Sequence, residues 1–303
     1  YEHTVQFIQI IVGAKVFYAE SLEKLISNMG VAKPTIMTAV PRFYQNLFTK
    51  INMNFEKQKG LKKKLINQTL ELGKKILKKE QLNFGEKIVN FLCEKLVRKK
   101  IRSQFGGNLQ AFVSGGGALD HNIGEFLNSV GLPTLQGYGL TEASGIATMC
   151  RHDDDPEIIA KTSGRAIDGV EVLVVDENGS EVQAGEPGEV VIRGYNIMRG
   201  YLDDPEQTAE TIDKDGWLHT GDIGVMDRNG YLDITDRKKD MIITGGFNVY
   251  PAEVENSLMS HPEIGQIAIV GAPDERLGEI AVAFVVPAKQ TAPTEADLII
   301  WAR

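Results

Sequence analysis

Two strand-sized apolar segments of this chain run directly into glycine, and that pairing restricts the fold more than any other feature. Gln110 to Val113 leads into Ser114, Gly115, Gly116, Gly117 and Ala118, and a second apolar piece ending near Gln136 leads into Gly137, Tyr138, Gly139, Leu140, Thr141 and Glu142. Between them Asp120 is placed to cap a helix whose apolar residues, Ile123, Phe126, Leu127 and Val130, recur at helical spacing. Strand, helix and strand in this order predict a parallel sheet in an α/β fold. In such sheets ligands settle where the strands end. Glycine there removes the side chain that would hold a flat ring or a phosphate away from the backbone amides. The first forty residues carry the same rhythm. Val12 to Tyr18 is apolar and β-branched, Ser21 opens a helix through Leu22, Leu25 and Ile26 that ends at Gly30, and Thr35 to Val40 is strand-like again.

From Val170 the pattern changes to hairpins. Val172 to Val175 meets a turn at Glu177, Asn178 and Gly179, Val190 to Arg193 is a strand, and Arg228, Asn229 and Gly230 form another turn. These predict an antiparallel, barrel-like subdomain. Past Arg237 come a strand at Met241 to Ile243, a helix with Pro251 in its first turn, strands around Ile267 and Val282, and a capped helix from Thr294, the order of a small α+β domain. The expected division is a large mixed α/β domain over residues 1–236, β-rich from about 165, followed by a hinge and small lid domain over 237–303.

Charge is distributed unevenly along the 303 residues, whose net value is −8. From Lys50 to Arg102 there are sixteen Lys and Arg against five Asp and Glu, while the rest of the chain is strongly acidic. A wholly basic nucleic-acid binder is excluded. Within this stretch Leu61, Leu65, Leu72, Ile76 and Leu77 fall at helical spacing between lysines, and a second helix is predicted from Phe84 through Ile88, Phe91, Leu92 and Leu96. The insertion, about 57–102, reads as a solvated helical hairpin whose apolar stripe packs on the domain, with its lysines as a second possibility for contact with an anionic membrane. No apolar run approaches the roughly 18 residues of a membrane span. Cys93 and Cys150 match neither a disulfide framework nor a zinc site, which places the protein in reducing cytoplasm.

Three separated segments carry chemistry. In the first, Thr141 offers a hydroxyl to a phosphate oxygen, Glu142 a hard carboxylate oxygen to Mg²⁺, and Tyr138 a ring that could stack on a base. The second runs from Trp217 to Asp222, where an ionised aspartate can accept from both hydroxyls of a ribose diol. The third, Asp236 to Glu255, sets the donor fork of Arg237 ahead of Gly245 and Gly246. Singly, each also fits an ordinary turn or linker.

Together, the order of Gly137 to Glu142, Trp217 to Asp222 and Asp236 to Asp240 resembles the AMP-forming acyl-CoA synthetases of the adenylate-forming superfamily. The stretches YEHTVQF, VGAKVFYAE and KPTIMTAVPRFYQNL and the lysine-rich insertion are similar to long-chain fatty acid CoA ligases in particular. The resemblance implies ATP, Mg²⁺ and coenzyme A as cofactors and a fatty acid as substrate. It implies that Gly115, Gly116, Gly117, Gln136, Gly137, Tyr138 and Gly139 line the adenine side, with the acyl tunnel beside them. Thr141 then touches phosphate, Glu142 binds the metal, and Asp222 and Arg237 hold the ribose. Lys239 matches a hinge, and Gly245 and Gly246 match a loop facing the CoA thiol. The family's phosphate loop and C-terminal lysine have no match, so the chain reads as cut at both ends and is expected to be nearly inactive alone. A ligase for an aryl, medium-chain or aminoacyl substrate, and a non-catalytic nucleotide- or acyl-binding fragment, remain as alternatives.

Overall fold

The computed structural model describes residues 7, 9–21, 24–117, 119–259, 261–288 and 293–301. Leu22, Ala118 and the first six residues, all used above, lie outside the described residues. In chain order the first elements are α1 (Leu25–Ala32), β1 (Ile36–Ala39), α2 (Pro41–Glu56), α3 (Gly60–Leu77) and α4 (Phe84–Cys93). A π-helical turn (Glu94–Arg98) carries α4 into α5 (Lys99–Gln104), followed by β2 (Ala111–Ser114), α6 (His121–Ser129), β3 (Thr134–Tyr138), β4 (Thr148–Met149), α7 (Pro156–Lys161) and β5 (Arg165–Ala166). Next come β6 (Val170–Val175), β7 (Pro187–Gly194), α8 (Pro205–Thr211), β8 (Leu218–Met226) and β9 (Leu232–Arg237). The chain closes with β10 (Ile242–Thr244), β11 (Phe247–Val249), α9 (Pro251–Leu258), β12 (Ile264–Asp274), β13 (Gly278–Pro287) and α10 (Glu295–Trp301).

The chain forms two compact units: residues 1–172, 192–218 and 228–233, and residues 173–191, 219–227 and 234–303. In the first unit β1, β2 and β3 are parallel neighbours, with β4 and β5 added antiparallel. Its core is aromatic at the centre: Tyr44, Phe105 and Phe112 are fully buried and meet edge to face. The Tyr44 hydroxyl donates to Val113 O at 3.0 Å, so the polar end of this buried ring is satisfied by the strand it packs on. As expected, Asp120 caps α6, accepting from Asn122 N–H and Ile123 N–H. The buried Arg98 donates to Ser129 O and Thr69 O, tying the insertion to the end of α6. In the second unit β10 and β13, and β12 and β13, pair antiparallel, and Ile242, Leu258, Ile264 and Ile269 form the core beneath α9. Pro251 occupies the first helical turn, as expected. Strands β6, β7, β8 and β9 form a sheet in that order.

Three expectations are corrected. Val12 to Tyr18 is not a strand: residues 14–19 have no regular structure and Val12, Phe17 and Tyr18 are exposed. β-branched residues favour a strand only where a ladder and a packed face receive them. The helix predicted to stop at Gly30 begins at Leu25 and runs to Ala32, where Lys33 adopts a left-handed φ of 48° and returns its N–H to Met29 O. Finally, the insertion does not bury its whole apolar stripe. α3 packs inward through Ile66, Leu72 and Leu77, but on α4 only Cys93 is buried.

Candidate functional site

The register of β2 and β3 places the first predicted segment. Ser114 lies opposite Gln136 across the parallel ladder, so the two glycine segments leave the same sheet edge side by side. Gly115 N–H donates to Ala39 O at 3.3 Å, and Gly116 adopts a φ of +81° that suits glycine alone among ordinary residues. The Ser114 hydroxyl is buried at this edge without a hydrogen-bond partner. Gln136 points elsewhere: its buried carboxamide donates to Ala160 O at 3.2 Å, at the C-terminal end of α7. Past Tyr138 the chain doubles back so closely that a Cβ on Gly139 would sit 2.5 Å from Ile146 Cα. Thr141, exposed, starts a single 3₁₀ turn that ends at Ser144 with φ 52°.

Glu142 sits in that turn, and its carboxylate is held from a distant part of the chain. The Tyr201 hydroxyl donates to Glu142 Oε1 at 2.9 Å. Burial and the adjacent carboxylate both raise the Tyr201 pKa, so the phenol stays protonated as the donor. Met198 N–H donates to Glu142 O at 2.8 Å, and buried Asn196 donates its amide to Ile146 O at 2.8 Å and Ala143 O at 3.3 Å. The Ser144 hydroxyl returns a bond to Asn196 O at 2.7 Å. Tyr201 is itself placed by α8, because its N–H donates to Thr208 Oγ1 and Asp204 caps that helix. Among the described residues this clamp engages Glu142 through Oε1 and its backbone carbonyl, and no hydrogen bond to Oε2 occurs. One oriented carboxylate oxygen suits Mg²⁺, which takes one or two carboxylates and completes its shell with water and substrate phosphates. No cluster of three or more His, Cys, Asp or Glu suited to an all-protein metal site occurs among the described residues. Cys150, buried just past the end of β4, has its thiol pushed up to about 11 by burial and is no nucleophile.

The other two predicted segments meet within the second compact unit. Asp222 lies within β8 and is largely buried, while Arg237 ends β9 with its guanidinium in solvent; Arg237 Nε is 3.6 Å from Asp222 Oδ1. Lys238 N–H donates to Gly221 O at 2.8 Å, so the ends of the two predicted segments are hydrogen-bonded together. Asp236 accepts from Ala252 N–H at 3.1 Å, fixing the first turn of α9. Lys239 is exposed in the turn that follows β9. Gly245 and Gly246, with φ of +57° and +85°, form the two-residue connection of the β10–β11 hairpin, a conformation that demands positive φ at both positions.

Glu189 organises these segments of the second unit. Its carboxylate accepts from Lys238 Nζ at 3.0 Å and Gly221 N–H at 3.2 Å, with His219 Nδ1 at 3.5 Å. Burial pushes its pKa up, but Lys238, the Gly221 N–H and His219 outweigh this and hold the carboxyl below its ordinary 4.5. The folded chain therefore binds fewer protons at Glu189 than the unfolded one. The resulting stability is complete above pH 4.5 and is lost as pH falls through the depressed value. Glu189→Gln is expected to lower stability near neutral pH by about 1–2 kcal/mol and to flatten the acid limb, as read by urea unfolding at stepped pH. An unchanged acid limb would remove Glu189 from this role.

Tyr201, Asn196 and Glu189 were not identified from the sequence. Nothing local marks them, since Glu142 and Tyr201 are 59 residues apart. The one available signal was the cap-and-proline start of α8 at Asp204 and Pro205, which fixes the segment just before it. Trp217 stacks under the Arg193 guanidinium at 4.4 Å.

Comparison with known proteins adds to this geometry. The profile of the AMP-binding enzyme family matches residues 1–202, and that of the AMP-binding enzyme C-terminal domain matches residues 253–303. A methyl-dioxo-octahydroindenyl propanoyl:CoA ligase of Rhodococcus jostii is 53% identical over 169 residues, covering 56% of this chain and 31% of the relative. A long-chain-fatty-acid–CoA ligase of Escherichia coli O157:H7 is 40% identical over 217 residues, covering 71% of this chain and 38% of the relative. The crystal structure of ATP-bound MatB from Rhodopseudomonas palustris superposes with a TM-score of 0.74 at 26% identity, over 98% of this chain and 49% of that one. The chain thus spans between about a third and a half of the length of these proteins.

Proposed function

Given that the chain belongs to the AMP-binding enzyme family, we propose that its protein is an AMP-forming acyl-CoA ligase acting on a hydrophobic carboxylic acid, with long-chain fatty acids as the leading class. The observation that carries the reading is the edge where Gly115 to Gly117 and Gly137 to Glu142 leave adjacent parallel strands, with Glu142 fixed by Tyr201. In this reading an acid carboxylate attacks the α-phosphorus of ATP, giving acyl-AMP and pyrophosphate, and the thiol of coenzyme A then displaces AMP.

The glycine segments and Tyr138 receive the adenine, while Gln136 holds β3 against α7 from behind. Thr141 donates its hydroxyl to a phosphate oxygen. Glu142 Oε2 is the ligand for Mg²⁺, which when bound supplies positive charge where one anion approaches another. Asp222 accepts from the ribose hydroxyls and the exposed guanidinium of Arg237 donates to ribose or phosphate oxygens. Residues 237–303 act as a lid hinged near Lys239, and the Gly245–Gly246 turn brings bare backbone to the thiol path.

A second reading changes only the acid. The 53% identity to the Rhodococcus jostii ligase supports a bulky fused-ring propanoate as that second acid. An acid panel on the protein expressed from its complete reading frame decides between them. Linear fatty acids of graded length, a fused-ring propanoate and an aryl acid are compared by acid-dependent ATP–pyrophosphate exchange. Best exchange with long linear acids supports the leading class, best exchange with the fused-ring acid supports the second, and no exchange with any acid overturns the ligase reading.

A further inference from the structure

The helix that fails to bury its apolar stripe points to a further site. Along α4 and the π-helical turn, Phe84, Ile88, Phe91, Leu92 and Leu96 are exposed, Phe84 by 82% and Phe91 by 65%. The opposite face is seated on the domain through Cys93, Val97 and, in α5, Ile101. The helix is therefore amphipathic with its larger apolar face outward, the reverse of what a solvated helix shows. Lys87, Lys95, Lys99 and Lys100 are exposed on the same stretch. Five apolar side chains interleaved with four ammonium groups match the boundary of a bilayer, where rings and branched chains enter the acyl region and lysine stems reach back to the headgroups.

We infer that α4 and its continuation through Leu96 form a docking surface that lies flat on an anionic lipid bilayer. This proposal is independent of the ligase reading. Charge selects the occupant. The stretch from Lys50 to Arg102 carries a surplus of eleven positive charges, so a second copy of the same face would meet like charge, whereas an anionic leaflet neutralises it. Contact is peripheral, because no helix among the described residues is long and apolar enough to cross a membrane. Within the basic stretch Lys62 to Lys64 lie on α3, whereas the apolar anchor is on α4.

Vesicle co-sedimentation with the full chain tests this, using phosphatidylcholine alone and phosphatidylcholine mixed with phosphatidylglycerol. Binding is expected to the anionic vesicles and to weaken with salt. The exposed-site double variant Phe84→Ser/Phe91→Ser should bind about tenfold more weakly with an unchanged circular-dichroism melt. A Phe91→Trp variant should gain fluorescence that brominated lipids quench, read as the difference from the parent protein. Binding unchanged by the double variant, absence of quenching at position 91, or capture only by an acidic polypeptide or a second copy with no vesicle binding would each overturn the proposal.

Discussion

Glu142→Gln is expected to lower acid-dependent ATP–pyrophosphate exchange by about a hundredfold or more, measured on the protein expressed from its complete reading frame. Glutamine keeps the shape of the side chain and an oxygen to accept from Tyr201, so the clamp through Asn196 and Met198 persists and the melting temperature should hold. What is lost is the negative charge and the hard oxygen at Oε2. Tyr201→Phe separates orientation from ligation. It leaves the carboxylate in place but frees it to rotate. The Mg²⁺ concentration for half-maximal exchange should rise about tenfold, with kcat at saturating Mg²⁺ near that of the parent. Loss of kcat without a shift in Mg²⁺ dependence would mean that Tyr201 supports the fold and not the carboxylate. Full exchange by Glu142→Gln would remove Glu142 from the metal site altogether.

The largest effect on stability is expected from Gly164→Ala, a position outside the predicted chemistry. Gly164 has a φ of +82°, and a Cβ built on it would lie 2.0 Å from Met149 C and 2.1 Å from Cys150 N. Those are backbone atoms of β4 and its exit, held by pairing to both β3 and β5, and they have no side-chain freedom with which to yield. On the other side Ser163 N–H donates to Leu232 O at 2.7 Å and Leu232 N–H to Gly164 O at 2.9 Å, so the loop cannot retreat either. Urea unfolding should show a loss of about 3 kcal/mol or more. Displacing β4 also moves its partners Gly137 and Tyr138, so nucleotide affinity should fall with stability. A near-neutral result would mean that the β4–β5 crossing is looser than its geometry implies. Gly179→Ala, at a comparable φ of +77° but with nothing within 4 Å, is the control for backbone strain without a clash.

Much of the fold was legible because its signals are local. Asp120 and Pro251 announce helix starts through groups a few bonds away, and Gly179 and Gly230 announce turns through φ alone. The failures share a physical origin. Val12 to Tyr18 has strand propensity without a ladder to join, and Phe84 to Leu96 has helical periodicity whose outward face no local rule predicts. Periodicity says that one face differs from the other, not which face is buried.

By itself the sequence determined which groups are available: glycines at two strand ends, the carboxylates of Glu142 and Asp222, the guanidinium of Arg237 and a two-glycine turn at Gly245 and Gly246. These are covalent facts, and their conformational consequences act over a few residues. Tertiary structure alone decided that Ser114 and Gln136 stand in register, so that both glycine segments share one edge, and that Gln136 spends its side chain on α7. It also brought Tyr201 to Glu142 across 59 residues and placed Glu189 between Gly221 and Lys238. Hydrogen bonds of that kind join groups far apart along the chain, where loop closure and not local preference sets the cost, and no propensity of either residue encodes them.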